Sequence, residues 1–79
     1  MKKWREKELE LNGVKLFVTD KHVQYPQCWY FACHELGIQM VVGETKEMTE
    51  EQAKEKAFKT AVLKAQKIFN SLLAFKAKE

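Results

Sequence analysis

The sequence predicts an α+β fold, in which a four-stranded antiparallel meander sheet is followed by one long C-terminal amphipathic helix (ββββα). In the first half, strand-forming runs are separated by turn residues. The second half has no glycine or proline after Gly43, and its apolar residues recur at helical spacing. With 79 residues, the chain has room for one domain, 1–79. The predicted elements are strands over about 4–11, 14–19, 28–35 and 38–43 and a helix over about 50–75.

The first hairpin is predicted from Asn12-Gly13, which lies between two runs of alternating apolar and polar residues. Asn-Gly favours a two-residue turn because both central positions of that turn need positive φ. Such a turn pairs Leu11 with Val14, and the residues on either side then pair in order. One face of the hairpin becomes apolar, and the other carries glutamates opposite lysine and other residues.

The second hairpin is predicted to begin after Pro26, which cannot donate a ladder hydrogen bond. If Leu36-Gly37 forms a two-residue turn, Phe31 pairs with Val42. Alternation along both strands then gives one apolar face, which we expect to be the core face of the sheet. Its members are Trp29, Phe31, Cys33, Ile38, Met40 and Val42.

The helix is predicted to start at a capping box, since Thr49 is followed three residues later by Gln52. A helix over residues 50–75 is about 39 Å long, whereas a six-residue strand spans about 20 Å. The helix must therefore overhang the sheet. The overhang carries a self-association surface of Ile68, Phe69, Leu72, Leu73 and Phe75.

Three interpretations of this overhang are open. The segment packs on a second copy, or the helix breaks near Asn70-Ser71 and folds back, or a different partner covers it. We favour the homodimer, because the core of so short a chain is marginal by itself.

Two further surfaces are candidates for binding. The open face of the sheet is predicted to bind a protein partner, through Trp4, Phe17, Tyr30, His34, Gln39 and Val41. The back of the helix is predicted to contact nucleic acid or an acidic partner, through Lys56, Lys59, Lys64 and Lys67. Acidic neighbours on the first strand favour protein over nucleic acid for the sheet face.

Catalysis finds little support in the sequence, because the three glycines are isolated turn residues and form no phosphate-binding loop. We expect no enzyme activity, no cofactor and no metal, since the spacing of His22, Cys28, Cys33 and His34 matches no standard zinc pattern. The two cysteines are too far apart on a strand for a disulfide. With no membrane-length apolar run and no apolar leader, we expect a cytoplasmic protein without a membrane partner.

Short motifs around the start of the helix resemble known families. Two segments resemble the strand-to-helix join of HicB-type antitoxins, namely Gly43-Glu44-Thr45 and Thr49-Glu50-Glu51-Gln52-Ala53, with Ala57 beyond. That resemblance implies a module that neutralises a toxin ribonuclease by binding it. Residues 52–57 are similar to the second helix of double-stranded-RNA-binding domains, which implies phosphate contacts from Lys46, Lys54 and Lys56. In size and architecture the chain also looks like phage-encoded inhibitors such as anti-CRISPRs.

Together these observations predict a small non-enzymatic protein-binding module. We expect an inhibitor, antitoxin-like or phage anti-defence, that acts by steric occlusion. The alternative is an RNA-binding module that uses the lysine face of the helix. The overall charge of +3 indicates neither a strongly basic arm nor an acidic tail.

Overall fold

A computed structural model describes residues 3–77 and confirms the predicted ββββα fold. The four strands form one antiparallel sheet in the order β1-β2-β3-β4. The elements are β1 (Glu8–Leu11), β2 (Val14–Thr19), β3 (Cys28–Cys33), a 3₁₀ turn (His34–Leu36), β4 (Ile38–Glu44) and α1 (Glu50–Ala77).

The first hairpin has the predicted register, with Leu11 opposite Val14. Asn12 and Gly13 supply the positive φ angles of the turn, 52° and 86°. The strand starts at Glu8, however, and the prediction that it begins near residue 4 is wrong. Arg5 and Glu8 exchange two backbone hydrogen bonds across a tight turn, in which Glu6 has a φ of 54°.

The second hairpin has a different register from the one predicted. Phe31 pairs with Met40 instead of Val42, because the connection is a 3₁₀ turn closed by Gly37 at a φ of 65°. The same turn ends β3 at Cys33, two residues before the predicted end. A shift of two residues keeps each side chain on its face of the sheet, so the predicted core face survives.

The helix begins at the predicted capping box. The backbone N–H of Gln52 donates to Thr49 Oγ1 at 3.2 Å, and the backbone N–H of Thr49 donates to Gln52 Oε1 at 2.9 Å. The helix then runs without interruption to Ala77, so the alternative of a break at Asn70-Ser71 is wrong.

The core lies between one face of the sheet and the first part of the helix. Phe31 is fully buried at its centre, the buried residues of α1 are Ala53, Ala57 and Ala61, and Phe58 packs beside them. These small side chains lie one turn apart on a single helix face, so the helix backbone can approach the sheet closely. The remaining core residues are Leu9, Leu16, Val18, Trp29, Cys33, Ile38 and Val42.

The helix overhangs the sheet as the lengths predict. Every residue from 62 to 77 is exposed, and the molecule measures 48 × 26 × 19 Å. We call residues 62–77 the projecting segment; it is about 24 Å long at 1.5 Å per residue. It extends past the end of the sheet that carries the 3₁₀ turn, because α1 runs antiparallel to β4 after a short connection.

Candidate interaction surfaces

The projecting segment exposes the five large apolar residues that were predicted to lie on the overhang. Ile68 is 39 % exposed, and the others are between 50 % and 66 % exposed. An isolated exposed apolar residue is ordinary, but a contiguous set on one helix is typical of an interface. The full set is Ile68, Phe69, Leu72, Leu73 and Phe75.

Two lysines fix how the helix is rotated on the sheet. On the β1 side, Lys54 Nζ donates to the backbone carbonyl of Glu6 and lies 2.7 Å from Glu50 Oε2. On the β4 side, Lys56 Nζ donates to the carbonyl of Val42 at 2.8 Å. With about 100° per residue, these contacts place the apolar stripe on the β1 side of the helix. Within the lysine row, Lys59 and Lys67 lie on the β4 side, whereas Lys64 lies in the same direction as the alanines that face the sheet.

The predicted lysine surface is therefore divided. Lys56 is held against the edge of the sheet by its bond to Val42, which the sequence pattern did not indicate. Lys59, Lys64 and Lys67 lie on exposed turns of the helix. Lys56 is exposed as well, but its Nζ donates to the carbonyl of Val42.

The open face of the sheet brings together four of the six residues predicted there. Phe17, Ala32 and Gln39 form one row across three strands. Tyr30 and Val41 are paired in the next row. Phe17 is exposed, whereas Tyr30 and Val41 are half-buried.

Trp4 and His34 lie elsewhere. Trp4 packs against the core cluster, with Lys54 Nζ 5.2 Å from its ring centroid, so it belongs with the helix rather than the open face. His34 is exposed in the 3₁₀ turn at the end of the sheet. Trp4 differs because β1 starts later than predicted, and His34 differs because β3 ends earlier than predicted.

An aromatic cluster on the open face was missed by the sequence interpretation. The loop between β2 and β3 folds back so that His22 lies 4.1 Å from Tyr30, centroid to centroid, and Tyr25 stacks on Tyr30 at 5.8 Å. The backbone N–H of Gln24 donates to His22 Nδ1 and orients the ring. The signal in the sequence that could have indicated this cluster is the pair of aromatic residues, His22 and Tyr25, in the loop after β2. The loop's return over the sheet depends on contacts distant in sequence.

One carboxylate ties the 3₁₀ turn to the first hairpin. The backbone N–H of Lys15 donates to Glu35 Oε1 at 3.1 Å and, together with the N–H of Glu35 itself, holds the pKa of this carboxyl below its usual value. A lowered pKa means that the carboxylate supports the fold at neutral pH. That support is lost as the pH falls through the lowered pKa.

Cys28 and Cys33 are free thiols, and Cys33 is buried in the core. In the range 3–77, no three His, Cys, Asp or Glu side chains are placed to share a metal ion. A helix able to span a membrane is absent from the part of the chain that the structure describes. Comparisons with protein-family models, curated proteins and solved structures gave no match. The resemblances to HicB-type antitoxins, double-stranded-RNA-binding domains and anti-CRISPRs stay predictions.

Proposed function

We propose that this protein is a small non-enzymatic protein-binding module that works as a homodimer. The observation that carries the proposal is the projecting segment, whose apolar side chains are exposed along its length. The core also supports the homodimer. The helix covers the small sheet mainly with three alanines, so the single chain buries little apolar area, and burial of further apolar area in a dimer would stabilise it. We place the module in the cytoplasm, where thiols such as Cys28 and Cys33 stay reduced.

The open face of the sheet holds the target. Once the projecting segments are covered, each copy still presents Phe17 beside Tyr30 and its ring neighbours His22 and Tyr25. Aromatic side chains give large contact area at low entropic cost, which suits a protein interface. The module inhibits by steric occlusion, in the manner of an antitoxin or of a phage-encoded anti-defence protein.

A capture experiment tests the target-binding role. Replacing Phe17 and Tyr30 by alanine is expected to lower target capture at least about tenfold, because hot-spot aromatics each contribute about 2 kcal/mol. The measurement is affinity capture from cells with quantitative mass spectrometry. Val23→Ala, at a 92 % exposed loop position outside the cluster, is the matched control. Equal capture by the double variant and this control contradicts the role of the sheet face, provided that circular dichroism shows both folded.

The second candidate function is RNA binding by the lysine row. It is favoured by one sequence feature, since residues 56–77 contain lysines and no acidic residue. An RNA-binding module should lose affinity steeply as salt rises, by about one decade in affinity per decade in salt for each phosphate contact. Charge reversal at Lys59, Lys64 and Lys67 should abolish binding to a labelled RNA duplex in a filter assay. Binding that is insensitive to both changes excludes this function.

A further inference from the structure

We infer that two copies pair through their projecting segments in an antiparallel arrangement with one defined register. The inference rests on the homodimer proposed above and adds which residues of the two copies meet. It follows from the spacing, the sizes and the charges of the side chains along α1.

The apolar stripe of α1 has heptad spacing. Its members alternate at intervals of three and four residues, which is the pattern that keeps a seam facing a partner helix. The seam starts at half-buried Phe58, on the flank of the body, and continues through the projecting segment to its tip. Its members are Phe58, Ala61, Ala65, Ile68, Leu72 and Phe75.

The sizes of these side chains favour the antiparallel orientation. Beyond Phe58 and the buried Ala61, the exposed part of the seam begins with a small residue, Ala65, and ends with large residues. Antiparallel pairing sets Ala65 of each copy against Ile68 of the other, so that a large side chain meets a small one there. Parallel pairing sets Ala65 against Ala65 and leaves a gap there, while the two sheets crowd the same end.

The root of the helix offers a place for the partner's tip. A shallow groove of about 420 Å³ lies beside Phe58 and Val62, on the outward side of the helix. In the antiparallel register, Phe75 of the second copy reaches this groove. Phe69 of the second copy then lies next to Val62, and both of these residues are exposed in the single chain.

The charges along α1 also favour the antiparallel orientation. The acidic residues of α1 within the described chain are confined to its first two turns, and the tip carries only lysine. Antiparallel pairing brings Lys76 of one copy next to exposed Glu55 of the other, on the same flank of the seam. Within one chain these residues are about 31 Å apart, so a contact between them can only form between copies.

Charge reversal tests the register. Glu55→Lys and Lys76→Glu are each expected to weaken the dimer about tenfold, because each converts two attractive contacts into repulsive ones. An equimolar mixture of the two variants should recover the affinity of the original chain to within about twofold, because every contact in the mixed dimer is then attractive. The measurement is sedimentation velocity over a concentration series, with circular dichroism to confirm that both variants fold.

Lys67→Glu is the matched control, since it makes the same charge change on the lysine row, away from the seam. Its mixture with Glu55→Lys should show no recovery beyond that expected from net charge. A chain that stays monomeric without any substitution contradicts the proposed homodimer itself. A chain that dimerises but shows no recovery in the Glu55→Lys and Lys76→Glu mixture contradicts only the antiparallel register.

Discussion

Replacing Phe69 and Leu72 by glutamate is expected to make the protein monomeric at any practical concentration. Both side chains are at least 60 % exposed in the single chain, and the proposed dimer buries them in each copy. Burial of one such side chain contributes about 1.5–3 kcal/mol. Loss of four therefore removes about 6 kcal/mol or more, which is over ten-thousand-fold in Kd. Sedimentation velocity and size-exclusion chromatography with light scattering measure the change.

The matched control is Ala74→Glu, which places the same charge on the same segment but on the side of the helix away from the seam. Ala74 is exposed and does not line the groove beside Phe58, so its replacement should leave the dimer intact. All three positions lie beyond the body of the fold, so circular dichroism should show unchanged helix and sheet. A dimer that survives the Phe69 and Leu72 changes would place the interface elsewhere on the molecule.

The two hairpins show which parts of the fold could be predicted. At Asn12-Gly13 the turn chemistry is local, so two residues determine both the turn and the register of the strands. At Gly37 only one residue has a positive φ, and the sequence does not reveal that a 3₁₀ turn precedes it. The predicted register was wrong by two residues, but the faces were right because side chains alternate with period two.

The candidate surfaces also include one feature that could be predicted from the sequence and several contacts that could not. The projecting segment could be predicted because it needs only a comparison of helix length with strand length. The roles of Lys54 and Lys56 could not, since they depend on how the helix is rotated over the sheet. The ring contacts of His22 with Tyr30 likewise need the path of a loop, which no local pattern specifies.

Phe31→Ala is expected to remove most of the stability of the fold. Phe31 is fully buried on the central strand β3, where its ring packs within the cluster that joins sheet and helix. Truncation of a buried phenylalanine costs about 3–5 kcal/mol, through lost apolar burial and the cavity left behind. A chain of this length has a total stability of about 4–12 kcal/mol. Urea unfolding should show a midpoint lower by several molar, or no folded baseline at all.

The experiment is best done in the Phe69→Glu, Leu72→Glu background, because dimer formation would add a concentration-dependent term to stability. Phe75→Ala in that background is the matched control, since it removes the same ring from a 66 % exposed position. Its free energy of unfolding should stay within about 0.5 kcal/mol of that of the parent, as for other exposed substitutions. Equal losses of stability for the two variants would mean that the core between sheet and helix is not the main source of the stability of the fold. A large loss of stability for Phe31→Ala alone shows that the ring of Phe75 is not needed for folding and is therefore available for binding.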